Sequence, residues 1–301
     1  MRQHVRNSPA ALLVLLLLLA AGPPRLAAQV PASERVENAV INGAIGAVSA
    51  AVGAALTGKT PWDALLPGFG GGVAVSAGRQ VAGLGFGGSG LLGRQISAAG
   101  ISVIHSAARD SLLLLMPIGP VTFSVRPRDY DGFHPRVNLL EVAALVYYTL
   151  DSEAKLDVGA TLSSGAPAFR MPTVSFPTRD GAAYGQMILG TIVLGAYDPD
   201  LFPHTRNDVV LAHESIHVLQ LDYFNQVAGL PLERAVLRRL FGDAPLTRYV
   251  NIGLFGPLAA MAFHSQVEYS RRPWEREADV LSQGRGAERS PGCVAGVGRR
   301  C

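Results

Sequence analysis

The chain is poor in cysteine and in lysine. Two cysteines in 301 residues, Cys293 and Cys301, exclude a disulfide-dense scaffold and a four-thiolate zinc site. Lys59 and Lys155 are the only lysines, so nearly all of the 26 basic residues are arginine. Charge of either sign is sparse, at 16% of residues, against 49% hydrophobic. That balance excludes intrinsic disorder, because there is ample apolar side chain to offset the ordering cost. The length allows one large domain or two small ones. A net charge of +3 would suit a phosphate or anionic-lipid partner, so the placement of the charges matters.

Arg2 and Arg6 precede an uninterrupted apolar run from Ala10 to Ala21, broken by Gly22, Pro23 and Pro24. Leu26-Ala27-Ala28 supplies small residues for cleavage before Gln29. Residues 1–28 therefore read as a secretory signal peptide, with an uncleaved anchor as the alternative. The run is short for a span, which needs about 20 residues. Gln29 in place of a cysteine speaks against a lipid anchor. Cleavage would remove three of the 26 basic residues and none of the 23 acidic ones, leaving an electrically balanced chain. The expectation is an exported protein, periplasmic or extracellular, that binds no nucleic acid. In an oxidising compartment Cys293 and Cys301 would close a small loop or remain two free thiols.

Residues 29–110 form a Gly/Ala-rich region expected to be helical. No charge occurs from Asn38 to Gly58, and Ile41, Ile45, Val48, Val52 and Leu56 recur at helical spacing. Asn42 and Ser49 interrupt the apolar character. Such a helix suits water, a membrane surface or a membrane interior, and residues 38–107 are candidates for membrane association. An imperfect tandem repeat follows. Gly68-Phe69-Gly70-Gly71 leads to Gly78-Arg79-Gln80, and Gly85-Phe86-Gly87-Gly88 leads to Gly93-Arg94-Gln95. Each copy is expected to be a glycine turn opening a short helix. Gly53–Thr60 matches the G-x-x-x-x-G-K-[ST] phosphate-loop pattern letter for letter. A helical stripe runs into it and Pro61 follows, so it reads as a helix end with Gly58 as the stop.

From Ser111 strand-like runs predominate: Ser111–Met116, Val121–Val125, Lys155–Leu162, Ala168–Ser175 and Met187–Ala196. Val137–Leu150 leans toward helix. The expected fold class is α+β. A small, mostly antiparallel sheet would carry an active-site helix and a second ligand-bearing helix over residues 111–282, with 283–301 as a tail.

The chemistry concentrates in His213-Glu214-Ser215-Ile216-His217. Asn207 and Asp208 can start a helix there, and four-residue spacing puts His213 and His217 on one face, both able to bind one Zn2+ ion. Glu214 lies beside that face, in reach of a metal-bound water as general base. With seven histidines, such a motif arises by chance in roughly one in two hundred shuffled chains, so its presence carries weight. A third ligand is available in Pro273-Trp274-Glu275-Arg276-Glu277-Ala278-Asp279. Glu275 could complete a His₂Glu site, and Asp279, one turn on, could accept the free N–H of His213.

His213-Glu214-x-x-His217 followed by Glu275-x-x-Ala278-Asp279 resembles the gluzincin metallopeptidases, in the branch of the CAAX prenyl proteases and bacterial heat-shock membrane proteases. The run through Gln220 is similar to small exported bacterial metallopeptidase-like domains. The match covers about 208–221 and 272–281, and the four-span membrane core of the prenyl proteases is absent. The resemblance implies an endopeptidase using a zinc-bound water and a Glu base on a peptide or protein substrate. It also implies a substrate held along an edge strand, for which Met187–Ala196 is the choice. An oxyanion donor is expected between the motifs; Tyr269 is the selected catalytic residue, with His264 and Tyr249 as the other candidates. The alternatives are an inactive zinc-stabilised binding domain and a protein acting at a membrane through its Gly/Ala-rich region.

Overall fold

The computed structural model describes residues 32–109, 113–125, 133–172, 176–178, 181–183, 185–196, 207–242, 249–254, 256–258 and 273–282. The signal-peptide and tail expectations, and the two cysteines, lie outside them. Three long helices come first: α1 (Ala32–Leu56), α2 (Pro61–Ala82) and α3 (Ser89–Arg109). Gly58, at φ +70°, ends the turn after α1, and Pro61 opens α2. The phosphate-loop pattern is thus a helix C-terminus followed by a new helix start.

The three helices touch through glycine. A methyl group at Gly72 would overlap the Asn42 carbonyl, and one at Gly46 would overlap that of Gly68. On the other face of α2, a Cβ at Gly71 would lie 2.6 Å from the Gly100 carbonyl, and Gly78 meets Gly93 in the same way. Only hydrogen fits at these crossings. The first Gly-Phe-Gly-Gly copy therefore sits inside α2 as a contact surface, not at a turn. The second copy is a turn, with Gly85 and Gly88 at positive φ.

The stripe Ile41, Ile45, Val48, Val52 and Leu56 points outward, while the small face of α1, with Asn42, Ala50 and Ala54, is buried. Burying the small face lets backbones approach, and the large side chains are left outside as a consequence.

After β1 (Leu114–Ile118), β2 (Val121–Val125) and β3 (Phe133–Asn138) the chain runs through α4 (Leu139–Leu150), β4 (Lys155–Leu156), α5 (Val158–Ser164) and β5 (Ala168–Arg170). A short hairpin, β6 (Phe176–Thr178) with β7 (Gly181–Ala183), precedes a second, β8 (Gly185–Ile188) with β9 (Thr191–Leu194). Last come α6 (Asn207–Tyr223), a π-helical turn over Phe224–Gly229, α7 (Leu230–Phe241), β10 (Val250–Asn251) and α8 (Pro273–Ser282). The fold is α+β. Two four-stranded sheets, ordered β1-β2-β3-β10 and β4-β5-β9-β8, replace the single expected sheet. Each is mixed, because β10 joins β3 and β9 joins β5 in parallel.

Two local departures have clear causes. The run expected as strand over Lys155–Leu162 turns helical at Val158, because the Asp157 carboxylate accepts the Ala160 N–H at 2.9 Å and caps α5. Met187–Ala196 is not one strand: Leu189 and Gly190, at φ +49° and +80°, make a two-residue hairpin turn.

The core crosses the compositional boundary near residue 110. Ala50, Ala54, Val75, Ile101 and Ile104 of the helical layer pack with Leu113, Leu115, Tyr223 and Val227. Ala82 joins Ile216, Leu219, Ala278 and Leu281, binding α2, α6 and α8 together. Ile192, Leu194, Val210 and Val218 fasten the second sheet to α6.

Candidate metal centre

Helix α6 is buried on nearly all sides, enclosed by α2, α3, α8 and a sheet, although about half of its residues are polar. It carries His213, Glu214, Ser215 and Gln220 buried, with His217 nearly so. Helix α8 opens with Pro273, whose missing N–H is harmless at a first turn, and presents Glu275 to α6.

The three expected ligands converge. His213 Nε2 and His217 Nε2 are 3.0 Å apart, and Glu275 Oε2 lies 3.1 Å from His217 Nε2 and 3.4 Å from His213 Nε2. Donors held at about 2.1 Å around a tetrahedral zinc ion would be separated by about 3.4 Å. Two imidazole lone pairs brought this close repel unless a cation or a proton lies between them. His213, His217 and Glu275 therefore form a group that could hold a metal ion. Asp279 Oδ1 stands 3.2 Å from His213 Nδ1, where the sequence placed it, although the pair is bent away from a linear hydrogen bond.

The electrostatics follow from burying three carboxyl groups with two imidazoles. Burial opposes charge on His213, but Asp279 and Glu275 outweigh it and hold the imidazole pKa well above its usual range. The same contest, with Glu275 as the main partner, raises His217. Burial pushes Glu275 up, yet the two histidines prevail and keep it well below the ordinary carboxylate range. For Glu214 burial wins: its pKa is raised, with His213, His217 and a backbone hydrogen bond from Met187 offsetting only part. Asp279 is raised by burial too. The pocket demands positive charge at its focus, from protons or from a metal that displaces them.

Met187 belongs to β8, the outer strand of its sheet, and Gly185 packs against Val210 and Glu214 of α6. The expected edge strand thus lies beside the Glu214 carboxyl, as the first half of a hairpin. Tyr249 is half exposed, and its ring pairs with His134 at 6.4 Å. Tyr269 and His264 lie outside the described residues.

The sequence assigned no role to three polar residues at the site. Gln220 Oε1 is 2.7 Å from His217 Nδ1, and Gln220 Nε2 donates to Glu277 Oε2 at 2.9 Å. Glu277 in turn pairs with Arg79 of α2 at 2.8 Å. A signal was present: an arginine in a small-residue helix whose only other charge, Asp63, lies in the first turn needs a buried acid from elsewhere. Comparison with protein-family models, curated proteins and solved structures found no match.

Proposed function

We propose that the chain is an exported zinc-dependent endopeptidase of the gluzincin type. The observation that carries this is the convergence of His213, His217 and Glu275 within 3.4 Å of one another, with Glu214 next to them. Two imidazoles and one carboxylate are the donor set of catalytic zinc sites that leave a position open. A bound zinc ion there would supply Lewis acidity, making water acidic and polarising a substrate carbonyl. Glu214, its pKa raised by burial, takes the proton from the attacking water and passes it to the departing amine. Asp279 holds the orientation of His213. Strand β8, the outer strand of its sheet among the described residues, would offer that edge to an extended peptide, and Met187 N–H ties the strand to Glu214.

The test compares wild type with Glu214→Gln for zinc content and for cleavage of a broad peptide library. We expect about one zinc in each, with cleavage reduced at least a thousandfold in the variant. Full zinc with no cleavage in either protein would establish instead a zinc-stabilised binding domain. No zinc in either would refute both.

A second reading, compatible with the first, concerns location. Ser33–Leu56 is the one helix among the described residues long and apolar enough to cross a membrane. Its outward stripe, with Trp62 76% exposed just beyond it, favours attachment to a lipid surface.

A further inference from the structure

The repeated Gly-Arg-Gln places one arginine in α2 and one in α3. Both are buried, and both leave the helical layer to meet an acid of the metal-bearing half. Arg79 is the informative one, because its acid touches the site. Arg79 Nη1 lies 2.8 Å from Glu277 Oε2 and 3.0 Å from Asn42 Oδ1 of α1. The guanidinium carbon sits 5.3 Å over the Tyr223 ring, whose hydroxyl donates to the Asn42 carbonyl. Charge pairing, hydrogen bonds and aromatic packing all fix this arginine.

What it fixes next is an amide. Gln220 Nε2 has two hydrogens, and both face pure acceptors: Glu277 Oε2 at 2.9 Å and the Trp274 carbonyl at 3.1 Å. The amide has one orientation, with Oε1 toward His217 Nδ1 at 2.7 Å. An oxygen there can only accept, so Nδ1 carries the proton and Nε2 keeps its lone pair for the centre.

We infer that Arg79, Glu277 and Gln220 are positioning residues that set the tautomer of His217 as an Nε2 metal ligand. The Gly/Ala-rich helices are then part of the metal site's support. This rests on the metal-binding reading above.

The experiment uses the full chain and zinc itself. Zinc affinity is measured by competition with a chromophoric chelator, and the His217 tautomer by long-range 1H–15N correlation in the zinc-loaded protein. For Gln220→Met we expect affinity to fall about 10- to 100-fold, with loss of a fixed Nδ1–H signal. The amide and carboxylate are then exchanged. Gln220→Glu alone sets two carboxylates face to face and should bind zinc poorly. Gln220→Glu combined with Glu277→Gln restores an acceptor for His217 and a donor beside it, and should recover most of the affinity. If Gln220→Met does not fold, that exchange pair decides. Unchanged affinity and tautomer in these variants, with wild type binding one zinc, would overturn the inference and leave the metal site standing. A wild type that binds no zinc would remove both.

Discussion

The helical layer and the metal-bearing half reach their contacts by opposite means. In the layer, α1, α2 and α3 meet through glycines whose hydrogens face a neighbouring backbone. Around α6 the contacts come from larger side chains, including Ile216, Leu219, Leu281 and Tyr223, and from carboxylates with partners. Glycine contacts set the distance between helices but hardly specify rotation or sliding. The layer borrows that specification from two buried ion pairs. Arg94 holds Asp222 through Nε at 2.7 Å and Nη2 at 3.2 Å, with the Gly165 and Gly119 carbonyls as further acceptors. Small residues give proximity, and arginines give register.

Removing an arginine should break this division of roles most severely. Arg94→Met leaves Asp222 and the nearby Glu141 buried without a cation, and should cost about 3–5 kcal/mol in denaturant unfolding. Replacing Asp222 as well should return much of that loss. Next in size is Gly72→Ala, whose methyl would collide with the Asn42 carbonyl. About 1–3 kcal/mol is expected, with a lower melting temperature and weaker zinc retention as α1 moves from Arg79.

Glu141 gives a smaller, pH-dependent effect. Burial and the Asp222 charge raise its pKa from 4.5 to about 8, against the pull of Arg94 and Asn138. The folded chain keeps this proton over a range where the unfolded chain has lost it. This contribution to stability therefore falls as pH rises from about 4.5 to about 8, by at most about 1.4 kcal/mol per pH unit. Glu141→Gln should flatten that part of the profile and gain stability over wild type at pH 8, as followed by chemical denaturation at several pH values. The smallest stability change belongs to Val48→Asp on the outward stripe, within about 0.5 kcal/mol. Its readout is flotation with anionic phospholipid vesicles: wild type should float and the variant should not. Equal behaviour of the two would reject attachment through this face.

The site was more legible than the scaffold. His213, His217, Glu275 and Asp279 were readable because helical spacing converts directly into a shared face, and the structure brings them together. Gly58 as a stop and Val121–Val125 as a strand were local signals that tertiary packing left intact. The facing of α1 was not legible, because the usual rule buries large apolar residues and here glycine contacts took precedence. The strand expected through Leu162 failed where one carboxylate, Asp157, capped a helix. Parallel pairing of β5 with β9 and β3 with β10 depends on chain returns that no local pattern records. Glu277 and Arg79 went unread because their roles exist only across contacts spanning 57 and 198 positions, and Gln220, three residues past His217, takes its orientation from that distant acid.

Helix α2 also acts as a ruler. Gly68 and Gly72 face α1, and Arg79 lies seven residues past Gly72, two turns within about 20° of the same azimuth. Deleting one residue between Gly72 and Arg79 would leave composition and hydropathy almost unchanged. It would also swing the guanidinium about 100° away from Glu277. Length in that interval is therefore constrained along with the glycine at Gly78, whereas added turns at the outer end of α1 would leave that phase untouched.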